Sequence, residues 1–296
     1  MMSEFCCSLQ NKAVLCVSAK SGLAQLAAIF VAAQGARLTI LGPAADQHTV
    51  TDLTHLTGNK NIFFIECDLE SAPEITRAAS LFSQSNDRLD ILINLWVGGG
   101  SAIRASSAVR ASVCGPYLLN HALTGGLWQL IRYTPCAQVI LIGGRCPFGY
   151  FFQAKDLERK GIAKDLENYL KAMQQNSFFT ASLQRRLGPL FKVNCFDPGI
   201  HGICDSIRGI PRFAKIAEWA CGVRELQCLK TLAWLMTSYE ALHLHGNIIT
   251  SRGKFRSLLT STHTAMEESL WTAADALCKA SRADYSVDAL QRTSRH

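Results

Sequence analysis

Short apolar runs alternate along this chain with longer runs of helical composition, and no other feature constrains the fold as strongly. The predicted strands cover residues 13–17, 37–41, 61–66, 89–95, 137–142, 191–196 and 246–250. The predicted helices cover residues 22–34, a segment within 73–84, 106–133, about 165–187, 225–238 and 267–280. Parallel strands need a long crossover connection, usually a helix, so this order predicts an α/β fold. We expect a doubly wound parallel sheet of about seven strands, flanked by helices.

The composition is that of an ordinary globular protein. Of the 296 residues, 48% are apolar and 18% are charged, and α/β sheets of this length often form one unit. We predict a single domain over residues 11–281, with an N-terminal tail at 1–10 and a C-terminal tail at 282–296. The net charge of +7 is dispersed, without a run of five basic residues, so we expect neither a nucleic-acid partner nor a basic membrane patch.

Cysteine usage and hydropathy indicate the cellular compartment in which the protein is expected. None of the twelve cysteines forms a Cys-x-x-Cys pair, and Cys16, Cys67, Cys114 and Cys195 lie in apolar runs, where cysteine behaves as a small hydrophobe. No apolar run reaches the ~18 residues of a membrane span, and the first predicted strand begins too early for an N-terminal anchor to precede it. We therefore expect a soluble, cytoplasmic protein without a transmembrane segment.

The helix that begins near residue 165 carries Tyr169 and Met173, four residues apart. Residues at this spacing share one helix face, so a lysine at 173 would place its ammonium beside the Tyr169 phenol. Free tyrosine has a pKa near ~10, and lowering that pKa to about 7 takes roughly 4 kcal/mol. A thioether supplies none of this stabilisation, and Lys171 is expected to face away. The segment has the outline of a catalytic Tyr-x-x-x-Lys helix without its cation.

Several segments together resemble the short-chain dehydrogenase/reductase family, and within it the retinol-dehydrogenase-like group. The resemblance covers about residues 11–280 and rests on QNKAVLCVSAKSGLA, CDL at 67–69, RLDILIN at 88–94, DL at 156–157, DPG at 197–199 and LW at 270–271. If Gly144 stands at the catalytic serine position, the tyrosine follows 25 residues later, a long interval similar to that of the retinol-dehydrogenase group. The resemblance implies a Rossmann-type fold and an NAD(P)-dependent oxidoreductase ancestry.

The resemblance also implies a dinucleotide-binding turn after the first strand. The family's Thr-Gly-x-x-x-Gly-x-Gly is similar to residues 17–24, where only Gly22 keeps a family glycine and Ser18 adds a side chain where the backbone would approach a cofactor. The candidate phosphate-contacting residues are Ser18, Lys20, Ser21 and Gly22. A strand–turn–helix corner without a ligand is the competing interpretation.

Two further positions resemble cofactor contacts. Asp68 matches the residue that contacts the adenine, although it could equally cap a turn. Asn94 opens a segment similar to Asn-Asn-Ala-Gly, but bulky Trp96 and Val97 stand where the family has small residues, so the indole is expected to fill space beside the nucleotide. Pro43 stands where a basic residue would select NADP, so neither NAD nor NADP is favoured.

The catalytic positions implied by the resemblance are the most altered. Ser112 stands at the helix asparagine, Gly144 at the serine and Met173 at the lysine, so only Tyr169 is retained. A phenol without these helpers is a poor general acid at neutral pH.

Other candidate chemistry has weaker support in the sequence. Cys146 and His201 flank the Gly144 and Pro198-Gly199 turns and could form a nucleophilic pair, but no third orienting residue is evident. His243 and His245 alternate ahead of the last predicted strand without a facing carboxylate, so no metal site is expected.

Two functions stay open. The first is a catalytically impaired member of the group, retained as a scaffold or interaction protein. The second is an active NAD(P)-dependent oxidoreductase on a lipophilic, retinoid- or steroid-like alcohol or carbonyl, which would use Tyr169. By resemblance, pairing of the two long helices (about 106–133 and 165–187) could form a homodimer.

Overall fold

A computed structural model provides the fold, and it describes residues 7–19, 22–98, 115–144, 162–188, 191–199, 214–260 and 263–280. The strands are β1 (Ala13–Val17), β2 (Arg37–Gly42), β3 (Ile62–Glu66), β4 (Ile91–Asn94), β5 (Gln138–Ile142), β6 (Lys192–Asp197), β7 (Asn247–Thr250) and β8 (Phe255–Ser257). They form one sheet in the order β3-β2-β1-β4-β5-β6-β7-β8. The first seven strands pair in parallel, and β8 pairs antiparallel with β7.

The predicted doubly wound parallel sheet is confirmed, with eight strands where about seven were expected. The seven predicted strands match the observed ones to within two residues at each end. The additional strand, β8, has only three residues and two of them are exposed. It pairs at the outer edge of the sheet, where an exposed strand needs no apolar run in its sequence.

The helices of the described chain are α1 (Gly22–Ala33), α2 (His48–Thr57), α3 (Ala72–Ser85), α4 (Gly115–Gly126), α5 (Trp128–Tyr133), α6 (Ile162–Leu187), α7 (Ala214–Thr237) and α8 (Thr264–Ala280). Helix α3 begins with the Ser71 side chain accepting a hydrogen bond from the Glu74 amide, at 3.5 Å, which satisfies one of the free amides of the first turn. Helix α2 was not predicted, because only two of its residues, Thr49 and Leu53, are buried.

The long predicted helix at 106–133 is interrupted in its described part. Helices α4 and α5 are separated at Leu127, directly after the Gly125-Gly126 pair. A Cβ built on Gly126 would lie only 2.6 Å from the Cβ of Ala79 on α3. The glycine is therefore required by the close approach of α3 and α4, and the helix ends where that approach is tightest.

Apolar residues form two buried clusters on opposite faces of the sheet. Leu15 and Val17 of β1 belong to one cluster, and Val14 and Cys16 belong to the other, as the alternation of side chains along a strand requires. Both faces are covered by helices, which explains why the strands are almost continuously apolar. Burial raises the pKa of the Cys16, Cys67 and Cys195 thiols to about 12, so these cysteines act as core residues.

Candidate functional site

The order of the strands reverses between β1 and β4, which places a crevice at the carboxyl ends of these two strands. Val17, the last residue of β1, pairs with Asn94, the last residue of β4. Two segments that the sequence analysis assigned to a cofactor, the turn after residue 17 and the segment beginning at Asn94, are therefore neighbours.

The turn between β1 and α1 keeps an unusual backbone. Ser18 has a φ of 52° and Gly22 has a φ of 60°, both in the left-handed region that glycine enters most readily. The Ser18 amide donates to the Leu41 carbonyl at 2.8 Å, which holds the turn against the end of β2. The first turn of α1 contains no acidic residue, so its amino end can accept an anion. The left-handed backbone at Ser18 and Gly22 and the acid-free first turn of α1 fit a dinucleotide phosphate.

Asn94 belongs to a chain of buried amides that the sequence analysis did not find. The Asn94 Nδ2 donates to Asn120 Oδ1 at 2.6 Å, and Asn120 Nδ2 donates to Asn176 Oδ1 at 3.0 Å. All three residues are fully buried. Asn120 lies on α4 and Asn176 on α6, so the chain of hydrogen-bonded amides joins β4 to two helices.

Backbone groups at both ends fix the direction of this amide chain. Asn94 Oδ1 accepts from the Trp96 amide at 3.0 Å, and Asn176 Nδ2 donates to the Ile142 carbonyl at 2.9 Å. Because an amide N–H can only donate and a carbonyl can only accept, each of the three side chains has one workable orientation. The chain therefore ties the loop after β4 to the last residue of β5.

Two further sequence assignments have local explanations. Trp96 is partly buried, and its ring lies 3.5 Å from the position of a Cβ at Gly115, the first residue of α4. The indole therefore fills space beside this helix. Asp68 is exposed and its Oδ1 accepts from the Glu70 amide at 2.9 Å, so its carboxylate caps a turn in this structure.

The serine and lysine positions of the resemblance meet in the fold. A Cβ built on Gly144 would lie 2.9 Å from Met173 Cε, and the Gly144 amide donates to the Met173 carbonyl at 3.1 Å. Tyr169 and Met173 are 5% and 4% exposed and belong to the same apolar cluster. The structure thus places three of the four catalytic positions together, with a methyl group where the resemblance implies an ammonium.

A carboxylate also faces this point, and the sequence analysis gave it no role. Asp197 ends β6, and its Oδ1 lies 3.4 Å from the same Cβ position at Gly144. Oδ1 accepts from the Gly199 amide at 2.8 Å. Burial raises the pKa of the Asp197 carboxyl, and the Gly199 hydrogen bond offsets only part of that effect. No lysine or arginine of the described residues lies within ion-pair distance of it.

Several candidate residues fall outside the described part of the chain. These are Lys20, Ser21 and Ser112 of the implied site, and the Cys146 and His201 pair. Their roles stay predictions.

His243 closes a short 3-10 helix over Glu240–His243, ahead of β7. No group of three or more histidine, cysteine or acidic side chains is placed to hold a metal ion among these residues. No described helix combines the length and apolar character needed to cross a bilayer.

The strand order, with its reversal between β1 and β4, and the helices that cover both faces of the sheet define a Rossmann-type α/β fold. The predicted family resemblance is confirmed by comparison with curated proteins. The human Dehydrogenase/reductase SDR family member 13 is 27% identical over 187 residues, which is 61% of this chain, and its bovine counterpart is 27% identical over 186 residues. The matched segment spans about half the length of these relatives, 48% in each case.

Solved structures agree on the fold. RhlG of Pseudomonas aeruginosa, determined with NADP, has a TM-score of 0.62 and is 20% identical, covering 85% of this chain and 98% of RhlG. A short-chain dehydrogenase of Escherichia coli, determined with NADPH, has a TM-score of 0.61 and is 14% identical, covering 83% of this chain and 98% of that protein. No family model matches the chain.

Proposed function

We propose that this chain is a short-chain dehydrogenase/reductase-like protein whose hydride-transfer chemistry is impaired, and that it acts as a folded scaffold or interaction protein. One observation carries the proposal: the Met173 methyl group packs against Gly144, so apolar groups occupy both positions that would activate Tyr169. A thioether carries no positive charge, so position 173 gives a phenolate none of the stabilisation that an ammonium there would give.

Asp197 strengthens this argument electrostatically. A carboxylate near the Gly144 position disfavours a second negative charge nearby. Met173 removes the positive charge that the resemblance implies at this position, and no side chain of the described residues that lies at Gly144 replaces it.

A nicotinamide dinucleotide, NAD or NADP, is the cofactor that the turn would hold. The left-handed backbone at Ser18 and Gly22 and the acid-free start of α1 support a phosphate contact there. Two of the structural neighbours were determined with NADP or NADPH. When bound, such a group supplies a hydride. The chain's own contribution would be the backbone amides of the turn, while Pro43 gives no basis for choosing between the two dinucleotides.

The alternative function is an active NAD(P)-dependent oxidoreductase on a lipophilic alcohol or carbonyl. The retained position of Tyr169 on α6, beside the end of β5, favours it. In that case Tyr169 would donate a proton to the carbonyl oxygen of a retinoid- or steroid-like substrate. Homodimer formation through α4 and α6, and a cytoplasmic location, are further proposals that go with either function.

Turnover separates the two functions. Retinal and a steroid ketone are offered with NADH or NADPH, and loss of the reduced nicotinamide absorbance is followed. We expect no turnover by the unmodified chain. Turnover that disappears in Tyr169→Phe would establish the active oxidoreductase and overturn the proposal.

A gain-of-function variant tests the assigned positions. Met173→Lys combined with Gly144→Ser restores the two side chains that the resemblance implies, and we expect it to acquire turnover that depends on Tyr169. Calorimetric titration with each dinucleotide reports cofactor binding separately, so that a failure to bind is not mistaken for a failure of the chemistry. If the double variant binds the dinucleotide and stays inactive, positions 144 and 173 do not have the assigned roles.

A further inference from the structure

The carboxyl group of Asp197 is placed where a ligand of this crevice would be recognised. It ends β6, at the same edge of the sheet as Ser18 and Asn94, because all three residues lie at the carboxyl ends of parallel strands. Its Oδ1 lies 3.4 Å from the Cβ position at Gly144, next to the Met173 methyl. The group is therefore part of the candidate site and not of the outer surface.

The hydrogen bonds of Asp197 leave acceptor capacity unused. Within the described residues its carboxylate has one hydrogen-bond donor, the Gly199 amide on Oδ1, whereas an ionised carboxylate has about four acceptor sites. The backbone carbonyl of Asp197 is engaged separately, by the Ser251 amide at 2.9 Å. Oδ2 has no protein donor in the described chain, and the residue is only partly buried.

Asp90, a carboxylate with a structural role, has more hydrogen-bond donors and cations around it than Asp197. Asp90 lies at the opposite edge of the sheet and accepts from the Ala13 amide at 2.9 Å. Arg88 and Lys12 also donate to it, at 2.5–2.8 Å and 3.2 Å. The fold thus saturates one carboxylate with two cations and leaves the other, at the candidate site, without a cation among the described residues.

The Met173 methyl and the Asp197 carboxylate both lie close to the Cβ position at Gly144, so an apolar group stands beside the carboxylate. A carboxylate beside an apolar group binds an ammonium through charge-assisted hydrogen bonds. A carbonyl ligand would instead place its own hydrogen-bond acceptor against the carboxylate, which is also an acceptor.

We propose that this crevice selects ligands that carry a protonated amine, with Asp197 as the residue that determines this specificity. The inference rests on the proposed function in one respect, since it assumes that the crevice is a ligand site rather than the hydride-transfer site of a carbonyl reductase. It replaces the lipophilic alcohol or carbonyl as the expected ligand class. Its mechanism is the pairing of an ammonium with Asp197 Oδ2, which has no donor among the described residues, beside the Met173 methyl.

The test uses two probes that differ in charge and hardly in shape, benzylammonium and benzyl alcohol. Binding of each to the full chain is measured by ligand-observed NMR and by calorimetry. Measurements are made at about pH 8, well above the ordinary pKa range of a carboxyl group, because burial raises the pKa of Asp197. We expect the ammonium to bind about tenfold more tightly than the alcohol, the preference that one charge-assisted hydrogen bond supplies.

Two variants locate the origin of that preference. Asp197→Asn keeps the size of the side chain and removes its charge, so the preference should fall to about twofold or less, the level expected without the charge. Asp87→Asn, an exposed carboxylate before β4 at the other edge of the sheet, should leave the preference unchanged. Melting curves check that both variants are folded. A third variant, Met173→Lys, tethers an ammonium beside Asp197, so it should lower benzylammonium affinity as Asp197→Asn does.

Each result bears on the inference. Equal affinities of the two probes in the unmodified chain, absence of benzylammonium binding, or a preference that survives Asp197→Asn would overturn it. None of these results depends on turnover. Activity with a carbonyl substrate would overturn the proposed function separately, so the two failures are distinguishable.

Discussion

Asn120→Ala is the substitution whose effect can be worked out most fully from the structure. Asn120 is fully buried and holds the middle of the amide chain, accepting from Asn94 at 2.6 Å and donating to Asn176 at 3.0 Å. Its removal leaves the Asn94 Nδ2 donor and the Asn176 Oδ1 acceptor buried and unsatisfied. Each such group costs about 1–3 kcal/mol. The free energy of unfolding should therefore fall by about 2–6 kcal/mol, a large part of the about 5–15 kcal/mol of a typical domain.

Urea unfolding, followed in parallel by circular dichroism and tryptophan fluorescence, measures this loss. Asn59→Ala is the matched control, because the Asn59 amide bonds two carbonyls, those of Ala32 and Ala36 at 3.0 and 2.9 Å, in a partly exposed position. Water can replace the lost partner there, so the control should lose only about 1 kcal/mol.

A double substitution tests whether the amides form one network. Once Asn120 is absent, Asn94→Ala also removes a donor that is already unsatisfied, so it should add less than it costs alone. We expect a coupling of about 0.5–3 kcal/mol between the two positions. The reasoning is refuted if Asn120→Ala costs no more than the Asn59 control, or if the two single effects add independently.

The remaining predictions concern charge and close packing. Asp197→Asn should raise the melting temperature at neutral pH and change it little near pH ~4, because a raised folded-state pKa means that stability is lost as pH rises above the ordinary value of 3.8. Asp90→Asn should have the opposite effect and lower the melting temperature at neutral pH. Burial raises the Asp90 pKa, but the hydrogen bonds and ion pairs of the carboxylate outweigh burial, so the folded-state pKa is lowered. The stabilisation by Asp90 is therefore present above pH ~4 and lost in acid. Melting curves from about pH 2 to pH 7 check both signs, because the Asp90 effect changes below its ordinary pKa and the Asp197 effect above it. Parallel curves for the two variants would contradict them. Gly143→Ala should cost about 1–3 kcal/mol, since the new Cβ would clash with Cys195 on the adjacent strand. The Cβ of Gly144→Ala would approach the flexible Met173 methyl at 2.9 Å and Asp197 Oδ1 at 3.4 Å, so this variant should cost less, under about 1 kcal/mol by urea unfolding.

The strands were predictable because of where they lie. A strand of a parallel sheet covered on both faces must be apolar at nearly every position, so β1 and β5, buried throughout, stand out as short continuous runs. Helix α2 and strand β8 did not stand out, since each contributes few buried residues and so carries no strong apolar pattern. A helix or strand can be predicted from the sequence to the extent that its residues are buried and therefore apolar.

Part of the amide chain left a readable signal. Asn176 follows Tyr169 by seven residues, two helical turns along α6 and on the same face. A buried asparagine on the face of the candidate tyrosine could have been picked out. Its partners could not, because Asn94 and Asn120 come from β4 and α4, and no local rule pairs residues that lie 56 positions apart.

The sequence by itself determined the order of strands and helices, the family resemblance, and the replacement of the lysine and serine positions by Met173 and Gly144. These are properties of residue type and short-range spacing, and they can be read without coordinates. Only the tertiary structure brought the Met173 methyl, Gly144 and the Asp197 carboxylate to one point. That meeting depends on how α6 packs across the ends of β5 and β6, and packing of distant segments is decided by the whole core rather than by any one of them.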